Sequence, residues 1–214
     1  MSMRSLMRAL GMVALLLTPA MAEAQGKLQS GVEAGILLAK FGGDDADGAK
    51  TRIGLAGGGF LRFPFGRIVA LEPALIYASQ GTKAEGGGIT NTYKLEYWQV
   101  PLRLRFTVPT SGALRPWVYV APAIALRDRC RLEIKQGNQS LEADCNDRGA
   151  LGTRFNTKAL ETSVHLGAGL EYGRIQLGVR YQYGLSTVDN SDPSADLHNR
   201  VLAIVGGYRF GGPR

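Results

Sequence analysis

IQLGVRYQYGL, residues 175–185, alternates without a break. Ile175, Leu177, Val179, Tyr181, Tyr183 and Leu185 share one parity, and Gln176, Gly178, Arg180, Gln182 and Gly184 share the other. A strand sends successive side chains to opposite faces, so one face here is apolar or aromatic and the other polar or glycine. A half-buried strand of a soluble sandwich would look like this, and so would a lipid-facing strand. Two tyrosines near one end suit a membrane interface. The segment also has roughly the ten residues that a tilted strand needs to cross a bilayer. The rest of the chain decides between the two.

Seven other segments carry strand character: Leu28–Phe41, Thr51–Phe63, Ile68–Gln80, Thr92–Phe106, Arg115–Arg127, Ala159–Tyr172 and Leu197–Phe210. Their connections alternate in length. Gly42–Lys50, Gly81–Asn91, Asp128–Asn156 and Asp189–Asp196 are long and polar. Pro64–Arg67, Val108–Leu114 and the hairpin dipeptide Gly173-Arg174 are shorter. Short turns at one end and longer loops at the other are the pattern of outer-membrane barrels. The expected fold is all-β, an eight-stranded antiparallel up-and-down transmembrane β-barrel with its long loops outside the cell.

The polar parity decides which face meets lipid. It carries Glu33, Glu72 and Glu171 against Arg62, Arg103, Arg105, Arg180 and Arg209, together with many glycines. A soluble, lipocalin-like barrel would place these charges in water outside. A membrane barrel must close to pair its backbone in lipid, and its polar face then fills the lumen. An eight-strand interior is just wide enough for side chains to fill. These eight residues are therefore expected to form a lumen charge network in a plugged, non-conducting barrel. Tyr77, Trp98, Trp117, Tyr119, Tyr172, Tyr181, Tyr183, Tyr208 and Phe210 mostly lie near strand ends, as two interfacial girdles would.

The N-terminus reads as a secretory signal peptide over residues 1–24. Arg4 and Arg8 precede the apolar run Ala9–Leu17, and Ala22-Glu23-Ala24 offers an A-x-A-like cleavage site. All five methionines lie within it. Residues 25–214 then form one β-barrel domain. The full chain of 214 residues carries a net charge of +7. Export argues against nucleic acid as the counter-charge and favours outer-membrane lipid or lipopolysaccharide. Two cysteines in an exported chain, Cys130 and Cys145, are expected to form a disulfide in the fifth connection.

Several stretches match a known family. They are GVEAGI (31–36), LEPALIYASQG (71–81), YWQVPLRLRF (97–106), RPWVYVAPAIAL (115–126), GAGLEY (167–172), VRYQYGLS (179–186) and HNRVLAI (198–204). In order and spacing they resemble the PorT-like outer-membrane β-barrel domain, a group of small exported porin-family proteins. The resemblance implies an OmpX-like barrel in the bacterial outer membrane and no agreed molecular function. Barrels of this kind usually end on an aromatic residue read by the barrel-assembly machinery. Here Phe210 is followed by Gly211-Gly212-Pro213-Arg214.

Chemistry is sparsely signalled. His165 shares a face with Ser163 and Glu161, a grouping that could supply a nucleophile, base and orienter for a lipid-modifying hydrolase. Adjacent residues on one strand face do not normally build a full triad, so a lumen histidine bonded to Glu171 or an arginine is preferred. His198 is expected at the rim. No GxSxG, P-loop or HExxH pattern occurs, and no cofactor or metal is expected. The acidic clusters Asp44, Asp45, Asp47 and Asp189, Asp192, Asp196 lack EF-hand spacing and read as solvated loop tips. Asn138-Gln139-Ser140 is a glycosylation sequon of little meaning in a bacterium. The expected role is structural or interactive, as a monomer whose external loops contact lipopolysaccharide or partners. A narrow small-solute channel, a lipid hydrolase and a soluble periplasmic ligand-binding barrel are the rivals.

Overall fold

The computed structural model describes residues 28–43, 49–137, 139–144, 159–187 and 197–210. The signal-peptide segment, both aspartate clusters, Asn138 and Cys145 lie outside them. Nine strands form one antiparallel sheet: β1 (Gln29–Gly42), β2 (Ala49–Phe65), β3 (Val69–Gly86), β4 (Ile89–Thr107), β5 (Leu114–Gln136), β6 (Gln139–Asp144), β7 (Leu160–Tyr172), β8 (Ile175–Gly184) and β9 (His198–Phe210). Eight of them close a ring in which β1 pairs with both β2 and β9 and β5 with both β4 and β7. The sixth strand pairs only with β5, as the return arm of a hairpin. Carried once around the ring, the register that leaves β1 at Gly31 comes back to it at Phe41. The strands are therefore staggered, and so tilted, as closure requires.

Strand β8 follows its sequence pattern residue by residue. Every odd-numbered residue from Ile175 to Tyr183 is exposed, and every even-numbered one from Gln176 to Gly184 is buried. The inversion holds around the ring: Val32, Leu55, Leu75, Leu102, Ile124, Leu166, Leu177 and Ile204 all project outward. A water-soluble protein does not normally expose so continuous an apolar surface. Hydrocarbon is the solvent that accepts it, and the closed ring leaves no lipid-facing edge unpaired.

Three expectations need correction. The third connection is a tight turn at Gly87-Gly88, both with positive φ, and β3 and β4 run up to it. Residues 81–91 had looked like a loop because glycine and polar residues fit strands poorly, yet outside the bilayer a hairpin needs no apolar face. The fifth connection is partly ordered in the same way, since β5 continues to Gln136 and turns into β6. A wall of β3, β4, β5 and β6 thus extends beyond the lipid-facing belt. Trp117 and Tyr119, finally, belong to no girdle: both are buried in the lumen. Their parity is that of Ala121, Ala123 and Ala125, while Val118, Val120 and Ile124 face out. Outward aromatic residues include Trp98, Tyr181 and Tyr183 towards the loop end and Phe65, Phe106, Tyr172, Tyr208 and Phe210 towards the short-turn end.

Candidate functional site in the barrel lumen

The lumen has two unlike halves. The half nearer the termini and short turns is ionic. Arg103 holds both oxygens of Glu33, each at 2.7 Å, and also reaches Glu72 at 3.0 Å. Arg62 donates to Glu72 at 2.6 Å and to Glu171 at 2.9 Å. Arg105 donates to Glu171 at 3.0 Å, Arg180 to Glu33 at 3.1 Å, and Arg209 to Glu171 at 3.4 Å. Gln176 Oε1 accepts from both Arg62 and Arg105 at 3.0 Å. Arg115, on the rim and half-exposed, adds a further contact to Glu171 at 2.8 Å. The structure therefore brings all eight lumen charges named from the sequence into one connected cluster. Arg103, Arg105 and Glu72 are no more than 2 % exposed. Bidentate geometry and shared carboxylates are what make buried guanidinium groups tolerable.

The inward glycines have a specific use here. A Cβ at Gly167 would sit 2.4 Å from the Tyr119 ring, one at Gly169 2.4 Å from the Trp117 ring, and one at Gly178 2.6 Å from the same indole. The two rings lie flat on this glycine floor, stacked with centroids 5.7 Å apart. Arg105 covers Trp117 at 4.4 Å and Arg103 covers Tyr119 at 5.2 Å, a cation–π layer. Sequence parity identified the small residues and the charges. The aromatic layer between them was missed, although the odd spacing of Trp117 and Tyr119 with Ala121 signalled it.

The other half is largely apolar. Phe41, Leu95, Tyr97, Ala125, Cys130 and Leu197 pack together, and Leu37, Ala39, Ala78, Val201 and Ala203 form a second cluster. Cys130 turns inward because Asp128 is bulged: Glu96 pairs with Arg129 while Tyr97 pairs with Arg127. Between the halves lies a neutral polar layer. Gln80 donates to Gln182 at 2.9 Å, and Gln99 donates to the same oxygen at 3.2 Å.

The candidate triad is not assembled. Ser163 Oγ lies 3.1 Å from His165 Nε2, but Glu161 accepts from Tyr97 at 2.5 Å and from Asn199 at 2.9 Å. No orienting carboxylate bonds His165 Nδ1. The expected partner of His165, Glu171 or an arginine, is replaced by its own strand neighbour Ser163. Histidine and serine are both sealed from solvent. His198 Nδ1 donates to the backbone oxygen of Ser186 at 3.1 Å, at the loop end of β9.

A closed ring of eight strands with an apolar outside and a polar inside defines a transmembrane barrel of the outer-membrane class. The model of the outer membrane protein beta-barrel domain matches residues 10–210, and the chain belongs to that family. It is a protein of the bacterial outer membrane. No curated protein matches the chain. Solved structures similar to it include Ail, the attachment invasion locus protein of Yersinia pestis, at 16 % identity and TM-score 0.44, covering 85 % of this chain and 98 % of that one. OprG from Pseudomonas aeruginosa is 12 % identical with TM-score 0.49, covering 87 % and 98 %. Neisserial surface protein A is 11 % identical with TM-score 0.48, covering 84 % and 95 %.

Proposed function

We propose that this chain is a non-conducting, non-enzymatic outer-membrane barrel with a structural or interaction role, and that the face it offers is the wall of β3 to β6 standing above the lipid belt. The observation that carries this is the contrast between a filled interior and a projecting, charged exterior. The lumen side chains are engaged with one another, which argues against a solute path. The sealed Ser163 and His165 argue against lipid hydrolysis. The wall carries Lys83, Lys94, Arg129, Arg131 and Lys135, with Lys50 beside it on β2, and its carboxylates Glu85, Asp128, Glu133 and Glu142 are paired with Lys50, Arg129, Lys94, Lys135 and Arg131. Lipopolysaccharide phosphates are the counter-charge at that depth.

The rest of the reading follows. Residues 1–24 direct export and are removed. The remaining chain is inserted by the barrel-assembly machinery as a monomer of the PorT-like group. Cys130 pairs with Cys145 and ties the wall down. Its inward, buried position supports this, and no cysteine among the described residues is free.

The test compares unfolding of the refolded barrel in phospholipid bilayers and in bilayers containing lipopolysaccharide. The proposal expects a higher midpoint with lipopolysaccharide, and a loss of that gain when Lys83 and Arg129 are both changed to glutamate. Equal midpoints would overturn the lipopolysaccharide reading.

A further inference from the structure

The ionic half of the lumen is unbalanced. Arg62, Arg103, Arg105 and Arg180 share Glu33, Glu72 and Glu171, and Glu171 is divided further with Arg115 and Arg209. Among the described residues, four guanidinium groups thus draw on three carboxylates, one of them partly committed elsewhere. In a dry interior an uncompensated cation is expensive, because water cannot screen it. Hydrogen-bond donors are left over as well. Nε of Arg103, Nε of Arg105 and Nε1 of Trp117 are buried without a partner. Those three residues line one cavity, together with Glu33, Tyr119, Gln176 and the β9 backbone. Its volume is about 10 Å³. That is room for about one atom-sized particle. Glu33 does not repel an anion here as a bare carboxylate would, because Arg103 and Arg180 already occupy its oxygens.

We infer that this cavity is a binding site for a single small monovalent anion, of which chloride is the abundant example, held by Arg103, Arg105 and the Trp117 indole N–H. The ion would offset the surplus guanidinium charge and accept from the leftover donors. A water molecule could accept those bonds and would leave the charge uncorrected. The aromatic layer, the ion pairs and the β9 backbone at Val205, Gly206 and Gly207 bound the site, so the ion is a structural component held by the ion-pair cluster rather than a permeating solute. This inference does not depend on what the outer wall binds.

The chain has two tryptophans, and Trp98 faces outward while Trp117 lines the cavity. In the Trp98→Phe variant, Trp117 is the sole tryptophan reporter. The protein is refolded into detergent micelles in sodium gluconate with increasing sodium bromide, a heavy halide that quenches indole fluorescence on contact. The site predicts quenching that saturates, is relieved when chloride is present during refolding, and disappears in the additional variant Arg105→Gln. Absent quenching, or quenching that rises linearly without saturation, would show that no anion sits against Trp117 and would overturn the inference. Saturable quenching that survives Arg105→Gln in a correctly folded barrel would overturn the assignment of the ligands. If Arg105→Gln does not fold, a second readout decides. Thermal unfolding of the unmodified protein is then expected at higher temperature in chloride than in gluconate at equal ionic strength, and identical unfolding curves would count against the site.

Discussion

The two halves of the lumen solve the same packing problem with opposite chemistry. Near the short turns, the interior is filled by guanidinium and carboxylate groups over a layer of Trp117 and Tyr119. Towards the loops, it is filled by Phe41, Leu37, Leu95 and small residues. The ionic half depends on each partner being present, because a charge stripped of its partner stays buried. The apolar half depends on volume, because a deleted methyl group leaves a void. One fails by exposing charge and the other by opening space. In the proposed function the two halves act as closures in series, so that loosening either one leaves the other shut.

Glu72→Gln should have the largest effect. It removes the carboxylate shared by Arg62 and Arg103 and leaves both guanidinium groups short of charge. A loss of ~3–5 kcal/mol is expected from urea unfolding of the refolded barrel. A loss below ~1 kcal/mol would mean that water reaches this half and the comparison fails. Leu95→Ala tests the apolar half. Its side chain is fully buried among Phe41, Tyr97 and Cys130, so a loss of ~2–4 kcal/mol is expected in the same assay, with no conductance gained because the ionic half stays closed.

Gly167→Ala sharpens the contrast within the ionic half. The new methyl group would meet the Tyr119 ring, and overpacking of this kind costs ~1–3 kcal/mol. Adding Tyr119→Ala should make the two changes strongly non-additive, because the glycine then has no ring to seat. Glu133→Gln, on the outer wall, should be the mildest, under ~1 kcal/mol, since its pairs with Lys94 and Lys135 face solvent. Hydrogen bonds from Lys135 and Lys94 hold the Glu133 carboxyl down to about 2. A carboxyl held below its usual range of about 4.5 stabilises the fold above that range, and the contribution disappears as pH falls through about 2. The wild-type minus variant difference in stability should therefore be flat from neutral pH to pH about 5 and vanish only near pH about 2.

Much of this was legible in the sequence, and the limits are physical. Strand β8 and the outward faces of β4 and β7 could be read directly, because lipid on one side and ions on the other enforce strict period-two alternation. All eight charges of the cluster follow from that parity. The wall was hidden because Lys83, Glu85, Tyr93 and Lys94 lie where neither lipid nor a packed core imposes a pattern, so the segment looked like a loop. The apolar half of the lumen was hidden for the opposite reason. Leu37 and Leu38 are both leucine, yet one faces in and the other out, and no alternation separates them. Trp117 and Tyr119 looked interfacial because an aromatic residue near a strand end serves equally well outside as a girdle or inside over glycine. Only the partner strand, with Gly167, Gly169 and Gly178, distinguishes the two.

The proposed function requires a lumen closed twice over, and single-channel recording tests that most directly. Refolded protein, shown by gel mobility to shift on boiling, is reconstituted in a planar bilayer. The double closure predicts no steady conductance at neutral pH, for the wild type or for Leu95→Ala. Stable ohmic steps in the wild type would contradict it and would make the chain a channel.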